Sequence, residues 1–173
     1  MNDRIFNVLF LCTGNSARSI IGESILRKEG GGRFGAFSAG SHPRPGVNPM
    51  AIEVLRENGY PIQGLRSKSW DEFAGSGAPV MDFVFTVCDD AANEPCPLWP
   101  GHPMTAHWGL EDPARVDGTP IERRSAFEAT VRHMRRRIQA FVALPIASLD
   151  RMALGSRLRD IGRAEGATAQ AKA

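Results

Sequence analysis

The chain has 173 residues, 42% of them hydrophobic and 23% charged, a composition that fits one compact globular unit and excludes a disordered chain. Its 21 Lys and Arg against 19 Asp and Glu leave a net charge of +2, which gives no electrostatic case for a nucleic-acid partner. The apolar run Phe6 to Cys12, broken by Asn7, is far short of the ~20 residues of a bilayer span and lacks the flanks of a signal peptide, so a cytoplasmic protein without membrane attachment is expected.

Val8 to Leu11 is a short continuous apolar run, the pattern of a strand buried on both faces. Small turn-forming residues follow from Cys12 to Ser16, and from Ala17 the apolar period becomes helical until Gly30, Gly31 and Gly32 stop it. Phe34 to Ala39 reads as a second strand, then a Pro/Gly-rich loop runs from Gly40 to Asn48. Pro49 opens a helix that ends near Asn58 and Gly59. Gly64 to Pro79 is polar and irregular, with one helical turn over Trp70 to Phe73. Met81 to Val87 is a third buried strand running into Cys88, and Met104 to Trp108 a fourth. Ile121 to Leu144 is a long helix with Phe127, Val131, Met134, Ile138 and Phe141 on one face. The arginines of its Arg132 to Arg137 stretch are expected mainly on the opposite, solvated face. Leu149, Met152, Leu158 and Ile161 predict a short amphipathic helix, and the tail is expected to fray after Arg163. The division expected is a main domain over 1–146 and a C-terminal helix and tail over 147–173.

Alternating strands and helices predict an α/β fold, a three-layer sandwich around a central, mostly parallel four-stranded sheet. Ligands of such folds sit at the carboxyl ends of the strands. Cys12 and Cys88 both fall at predicted strand ends, which places two thiols on one rim.

Between the first strand and helix, Thr13, Gly14, Asn15, Ser16, Ala17, Arg18 and Ser19 form a loop suited to an oxyanion. Small residues let successive amides turn inward, and the helix N-terminus adds its dipole. Arg18 supplies a planar fork for two oxygens of a tetrahedral anion. A thiol at Cys12 would have its pKa drawn below the ordinary value by that environment and act as a nucleophile. Ser19 could donate to the thiolate, and Asn15 could brace the loop.

Val8 to Ser19 resembles the phosphate-binding loop of the low-molecular-weight protein tyrosine phosphatase fold, and more narrowly the arsenate reductases built on it. The likeness runs from about Asn7 to Leu144, through Phe37 to Gly40, Val87 to Asp89, His107 to Gly109 and Asp112-Pro113. The resemblance implies that Cys12 attacks arsenate or a phosphomonoester and that Asp112 protonates the departing oxygen. Glu111 is the neighbouring competitor for that role, and the plain alternative for Asp112 is a turn opened with Pro113.

Both activities use the first loop, so the other cysteines decide between them. A phosphatase needs no further thiol, whereas a reductase must deliver two electrons, which thiols supply by forming a disulfide. In the reductases that the chain resembles, cysteines at the positions of Cys88 and Cys96 relay the oxidation outward. Ala114, Arg115 and Val116 follow Asp112-Pro113 where phosphatases of this fold place aromatic residues, and the chain has one tyrosine, Tyr60. Arsenate reduction is therefore expected, with phosphatase activity as the alternative. Closing the short Cys88–Cys96 loop would stabilise by only ~2–3 kcal/mol, which suits a mobile switch.

No organic cofactor is implied, only an external thiol reductant, either thioredoxin or glutaredoxin with glutathione. Cys88, Cys96, His102 and His107 could be weighed as zinc ligands, but seven residues between the two cysteines is loose spacing for such a site. Some resembling reductases hold a potassium ion, and Asn15, Glu23 and Ser38 match three of its ligands. The fourth, an acid, is missing from Ser67, Lys68 and Ser69, so neither that ion nor any other metal is expected.

Overall fold

The structure is a computed structural model that describes residues 4–172. Its strands are β1 (Phe6–Cys12), β2 (Phe34–Gly40), β3 (Phe83–Thr86) and β4 (Met104–His107). Its helices are α1 (Arg18–Glu29), α2 (Pro49–Glu57), α3 (Asp89–Asn93), α4 (Pro120–Val142), α5 (Arg151–Gly162) and α6 (Ala169–Lys172). The four strands form one sheet in the order β2-β1-β3-β4, and every pairing is parallel. β3 and β4 are shorter than the apolar runs that announced them.

β1 lies inside the sheet, and Val8, Leu9, Phe10 and Leu11 are fully buried. Alternation sends Val8 and Phe10 to the main core, with Ile20, Ile21 and Ile25 of α1 and Phe127, Met134 and Phe141 of α4. Leu9 and Leu11 turn to the opposite face, beside Val84 of β3, where Phe73 and Met81 pack on them with Trp70 and Trp99 at the margin. The sheet is thus sandwiched between a helical layer and a thinner layer of 3-10 turn and loop. Each buried branched or aromatic side chain contributes about 1.5–3 kcal/mol.

α4 starts at Pro120, one residue before the predicted start, because Thr119 and Glu122 form a capping box. Its predicted apolar face is buried. Arg137 departs from the solvated face expected for it: it is 1% exposed and donates to the carbonyls of His133, Ala164 and Glu165, each at 3.1 Å. Burial brings its pKa down to about 10.

The tail does not fray after Arg163 as expected. Ala167 bridges antiparallel to Leu110, Thr168 N donates to Gly109 O at 3.1 Å, and α6 follows. The Ala/Gly composition conceals the polar anchors Thr168 and Gln170, whose partners are described below. Among the described residues, no helix is long and apolar enough to cross a membrane.

Candidate active site

Parallel pairing brings the carboxyl ends of all four strands to one rim. Cys12 is the last residue of β1, Gly40 the last of β2, and Cys88 lies two residues beyond the end of β3. The loop from Thr13 to Ala17 then feeds α1, and Asn15 takes a left-handed backbone conformation, φ 45°. Asparagine tolerates that region better than most residues.

Cys12 is 3% exposed. Its sulfur lies 2.9 Å from Ser19 Oγ and accepts the Asn15 amide at 3.2 Å. Asn15 Nδ2 in turn donates to Ser19 Oγ at 2.7 Å, so bracing and sulfur contact form one network. The expected depression of the Cys12 pKa is not found. Burial pushes the thiol above its ordinary value, and the nearby Cys88 adds to this against the opposing pull of Ser19 and Arg18. Desolvation outweighs the loop's donors.

A cavity of about 260 Å³ opens above Cys12, walled by Thr13, Gly14, Ser16, Ala17 and Arg18. Asn15 and Ser19, also assigned to the anion from sequence, are fully buried and do not line this cavity. Arg18 Nη1 donates to Leu110 O at 2.8 Å, and its Nη2 lies 3.6 Å from Asp112 Oδ2. Asp112 also caps the 3-10 turn that follows, accepting from Ala114 N at 3.0 Å. Asp112 therefore opens the turn and also lines the cavity. Glu111 is exposed and does not line this cavity.

Sequence reasoning missed four lining residues, His42, Arg44, Asp90 and Arg115. His42 N donates to Thr13 O and Arg44 N to Gly14 O, both at 2.9 Å, so the Pro/Gly-rich loop runs alongside the anion loop. The signal was topological: this loop leaves β2, the neighbour of β1. Arg18, Arg44 and Arg115 give the cavity three guanidiniums, a setting for a tetrahedral anion.

Cys88 is 2% exposed and stands at the N-terminal cap of α3. Its sulfur accepts the amides of Thr13 at 3.3 Å and Ala91 at 3.4 Å. The second thiol therefore touches the residue next to the first. Cys96 is placed differently. It is exposed and borders a separate cavity of about 520 Å³ with Trp99 and His107. Its thiol donates to Glu94 O at 3.7 Å, and burial together with Glu94 raises its pKa.

Lys68 fills the space between Asn15, Glu23 and Ser38. Its ammonium lies 3.5 Å from Asn15 Oδ1, 3.4 Å from Ser38 Oγ and 3.7 Å from Glu23 Oε1, and donates to Arg66 O at 2.8 Å. Burial lowers its pKa. The residues weighed for zinc do not assemble: among the described residues, no group of three or more His, Cys, Asp or Glu is placed to hold a metal. His107 instead lies 2.8 Å from Thr86 Oγ1 through Nδ1 and donates to Asp89 Oδ1 through Nε2 at 2.6 Å.

The sequence profile described as low molecular weight phosphotyrosine protein phosphatase matches residues 7–153. The chain belongs to this family. Within it, the chain is 37% identical over 134 residues to a protein of Bacillus licheniformis named arsenate reductase, covering 78% of this chain and 93% of that one. A solved arsenate reductase in the oxidized state is similar at TM-score 0.64 and 26% identity, covering 80% of this chain and 98% of that one. The fold is also that of a thioredoxin-dependent arsenate reductase of Corynebacterium glutamicum, at TM-score 0.53 and 24% identity, covering 80% of this chain and 64% of that one. The family profile ends inside α5, so the remainder of that helix and α6 lie beyond it.

Proposed function

We propose that the protein reduces arsenate to arsenite, with electrons drawn from its own thiols and restored by an external thiol reductant. The observation that carries this reading is the buried sulfur of Cys88, held 3.3 Å from the amide of Thr13 beside the nucleophile. Its relatives named arsenate reductase support the same reading.

Cys12, as thiolate, attacks arsenic(V) held by the loop amides and Arg18, and Asp112 protonates the oxygen that leaves as water. Cys88, as thiolate, then attacks Cys12 Sγ. The sulfur–arsenic bond breaks, its electron pair passes to arsenic, and arsenite departs, leaving a Cys12–Cys88 disulfide. Cys96 attacks Cys88 Sγ, which forms Cys88–Cys96 and expels Cys12 as a thiolate. Two electrons from an external dithiol, or from two monothiols, reduce that bond. No metal or organic cofactor enters this cycle. Thioredoxin is the reductant favoured by the name of the Corynebacterium glutamicum protein, with glutaredoxin and glutathione as the alternative.

Phosphomonoester hydrolysis is the second reading, favoured by the family profile. Against it, the lining of the cavity above Cys12 includes no phenylalanine, tyrosine or tryptophan to flank an aromatic substrate. Arsenate turnover by pure protein with each reducing system, beside an aryl-phosphate assay, tests both. Arsenite formation with at least one thiol system is expected. Aryl-phosphate hydrolysis without arsenate reduction would overturn the reading.

A further inference from the structure

The C-terminal extension reaches back to the segment that carries the second thiol. Asp89, next to Cys88 and first in α3, has a carboxylate oxygen that accepts from His107 Nε2 at 2.6 Å and from Thr168 Oγ1 at 2.8 Å. Two residues further on, Gln170 and Asn93 exchange amide hydrogen bonds at 3.2 and 3.0 Å, so the tail grips α3 at both ends. Thr168 is 7% exposed, and its own backbone amide is fixed to Gly109 O. A Cβ at Gly109 would meet Thr168 Oγ1 at 2.6 Å, Asp89 Oδ1 at 2.7 Å and His107 Nε2 at 2.7 Å, so the three groups close over a position with no room for a side chain. The extension is anchored in its turn by Arg137, and by Trp108 Nε1 donating to Leu158 O at 2.9 Å.

These contacts bear on the chemistry through Cys88. Its sulfur is oriented by amides of Thr13 and Ala91, and the second of these depends on α3 keeping its first turn. We propose that Thr168 is a positioning residue for the reaction: through Asp89 it holds α3 wound and so keeps Cys88 facing the nucleophile loop. The clasp must then open before Cys96, at the far end of the same segment, can approach Cys88. This inference rests on the relay described under Proposed function. It assigns a task to a part of the chain that lies outside the family profile.

The test uses the full chain with Thr168→Val, which keeps the shape and removes the donor, and Thr168→Ser, which restores it. Gln170→Ala, at an exposed position, breaks the second grip and leaves no buried polar group behind. Two rates are read. The first is alkylation of Cys88 in the reduced, arsenate-free protein, followed by peptide mass spectrometry. The second is arsenite release in a single turnover. Thr168→Val is expected to speed alkylation of Cys88 about tenfold and slow arsenite release about tenfold, Gln170→Ala to do both more weakly, and Thr168→Ser to match wild type. Wild-type values for both rates in Thr168→Val and Gln170→Ala would overturn the proposal, whatever happens to their melting temperatures. Faster alkylation with unchanged arsenite release would also overturn it, since the clasp would then hold the segment without serving the reaction. Failure of the relay itself is read separately, as wild-type arsenite release by Cys88→Ser.

Discussion

The amide of Thr13 donates to the sulfur of Cys88 at 3.3 Å. A second thiol so close to the residue after Cys12 would serve no step of phosphoester hydrolysis, but it suits the proposed relay. Loss of each cysteine should therefore trap a different species. Cys88→Ser should halt at the Cys12–arsenic adduct, and Cys96→Ser should release one arsenite and keep Cys12–Cys88. The wild type, oxidised once, should hold Cys88–Cys96 with Cys12 free. Peptide mass spectrometry after one equivalent of arsenate and rapid alkylation reads all three. Undiminished arsenate turnover by Cys88→Ser would remove the relay.

The proton on Cys12 gives a second expectation. Burial holds this thiol above its ordinary value, so the folded chain binds the proton more tightly than the unfolded chain does. The resulting stability is complete below the unfolded value of about 8.5 and is lost as pH rises through the folded one. Alkylation of Cys12 should accordingly climb with pH through 7 to 9. Ser19→Ala, which removes a donor that favours the thiolate, should push the profile further up and slow alkylation at pH 7 by up to about tenfold. A rate already level below pH 7 would contradict this.

Asp112 and Glu111 are neighbours in sequence, but only Asp112 lines the cavity above Cys12. Asp112→Asn can still cap the turn, since asparagine accepts a hydrogen bond there as aspartate does. It should leave phosphate binding intact and slow the chemical step by roughly 10²–10⁴-fold. Glu111→Gln should turn over at close to the wild-type rate. Pre-steady-state arsenite release by the two variants decides which carboxyl is the acid, and the reverse pattern would transfer the role to Glu111.

Gly40 ends β2 directly against the anion loop. A Cβ there would meet Thr13 O at 2.4 Å, with Asn15 N and Cys12 O each at 3.0 Å. These are backbone atoms, which cannot swing aside as a side chain can. Gly40→Ala should displace the loop, cost about 1–3 kcal/mol of stability and weaken phosphate binding at least about tenfold. Calorimetry with inorganic phosphate and thermal melting measure the two effects.

The rim that gathers Cys12, Arg18 and Cys88 was legible in the sequence because its signals are local. A buried apolar run, a small-residue turn and a helical period sit side by side from Val8 to Ile25. Other features were not legible, because they depend on what distant segments bring. His42 and Arg44 enter the cavity from an aperiodic loop. Arg137 looked like one of several surface arginines, and its burial depends on the distant carbonyls of Ala164 and Glu165 beside that of His133. The tail's low complexity hid two side chains that bind α3. The Cys12 proton was misjudged because a motif displays its donors but not the desolvation of the sulfur they surround.

The pairing of adjacent strands bears on the proposed relay. β1 and β3 are paired, with Leu11 opposite Thr86, so Cys12 and Cys88 extend from neighbouring tracks. Continuing that register puts Cys88 one residue beyond the position opposite Cys12. A ~4.8 Å strand spacing and a ~3.3 Å rise then give a diagonal Cα separation of roughly 6 Å, inside the ~4.4–6.8 Å that a disulfide accepts. The first cross-link would thus close with little movement of the backbone and would tie together residues far apart in the chain. The second joins residues separated only by Asp89 to Pro95. On loop entropy alone, the long tie restricts the unfolded chain by about 4–5 kcal/mol and the short one by about 2–3 kcal/mol. The transient Cys12–Cys88 form would then resist heat better than either the reduced or the fully relayed protein, so that turnover passes through its most heat-resistant species midway.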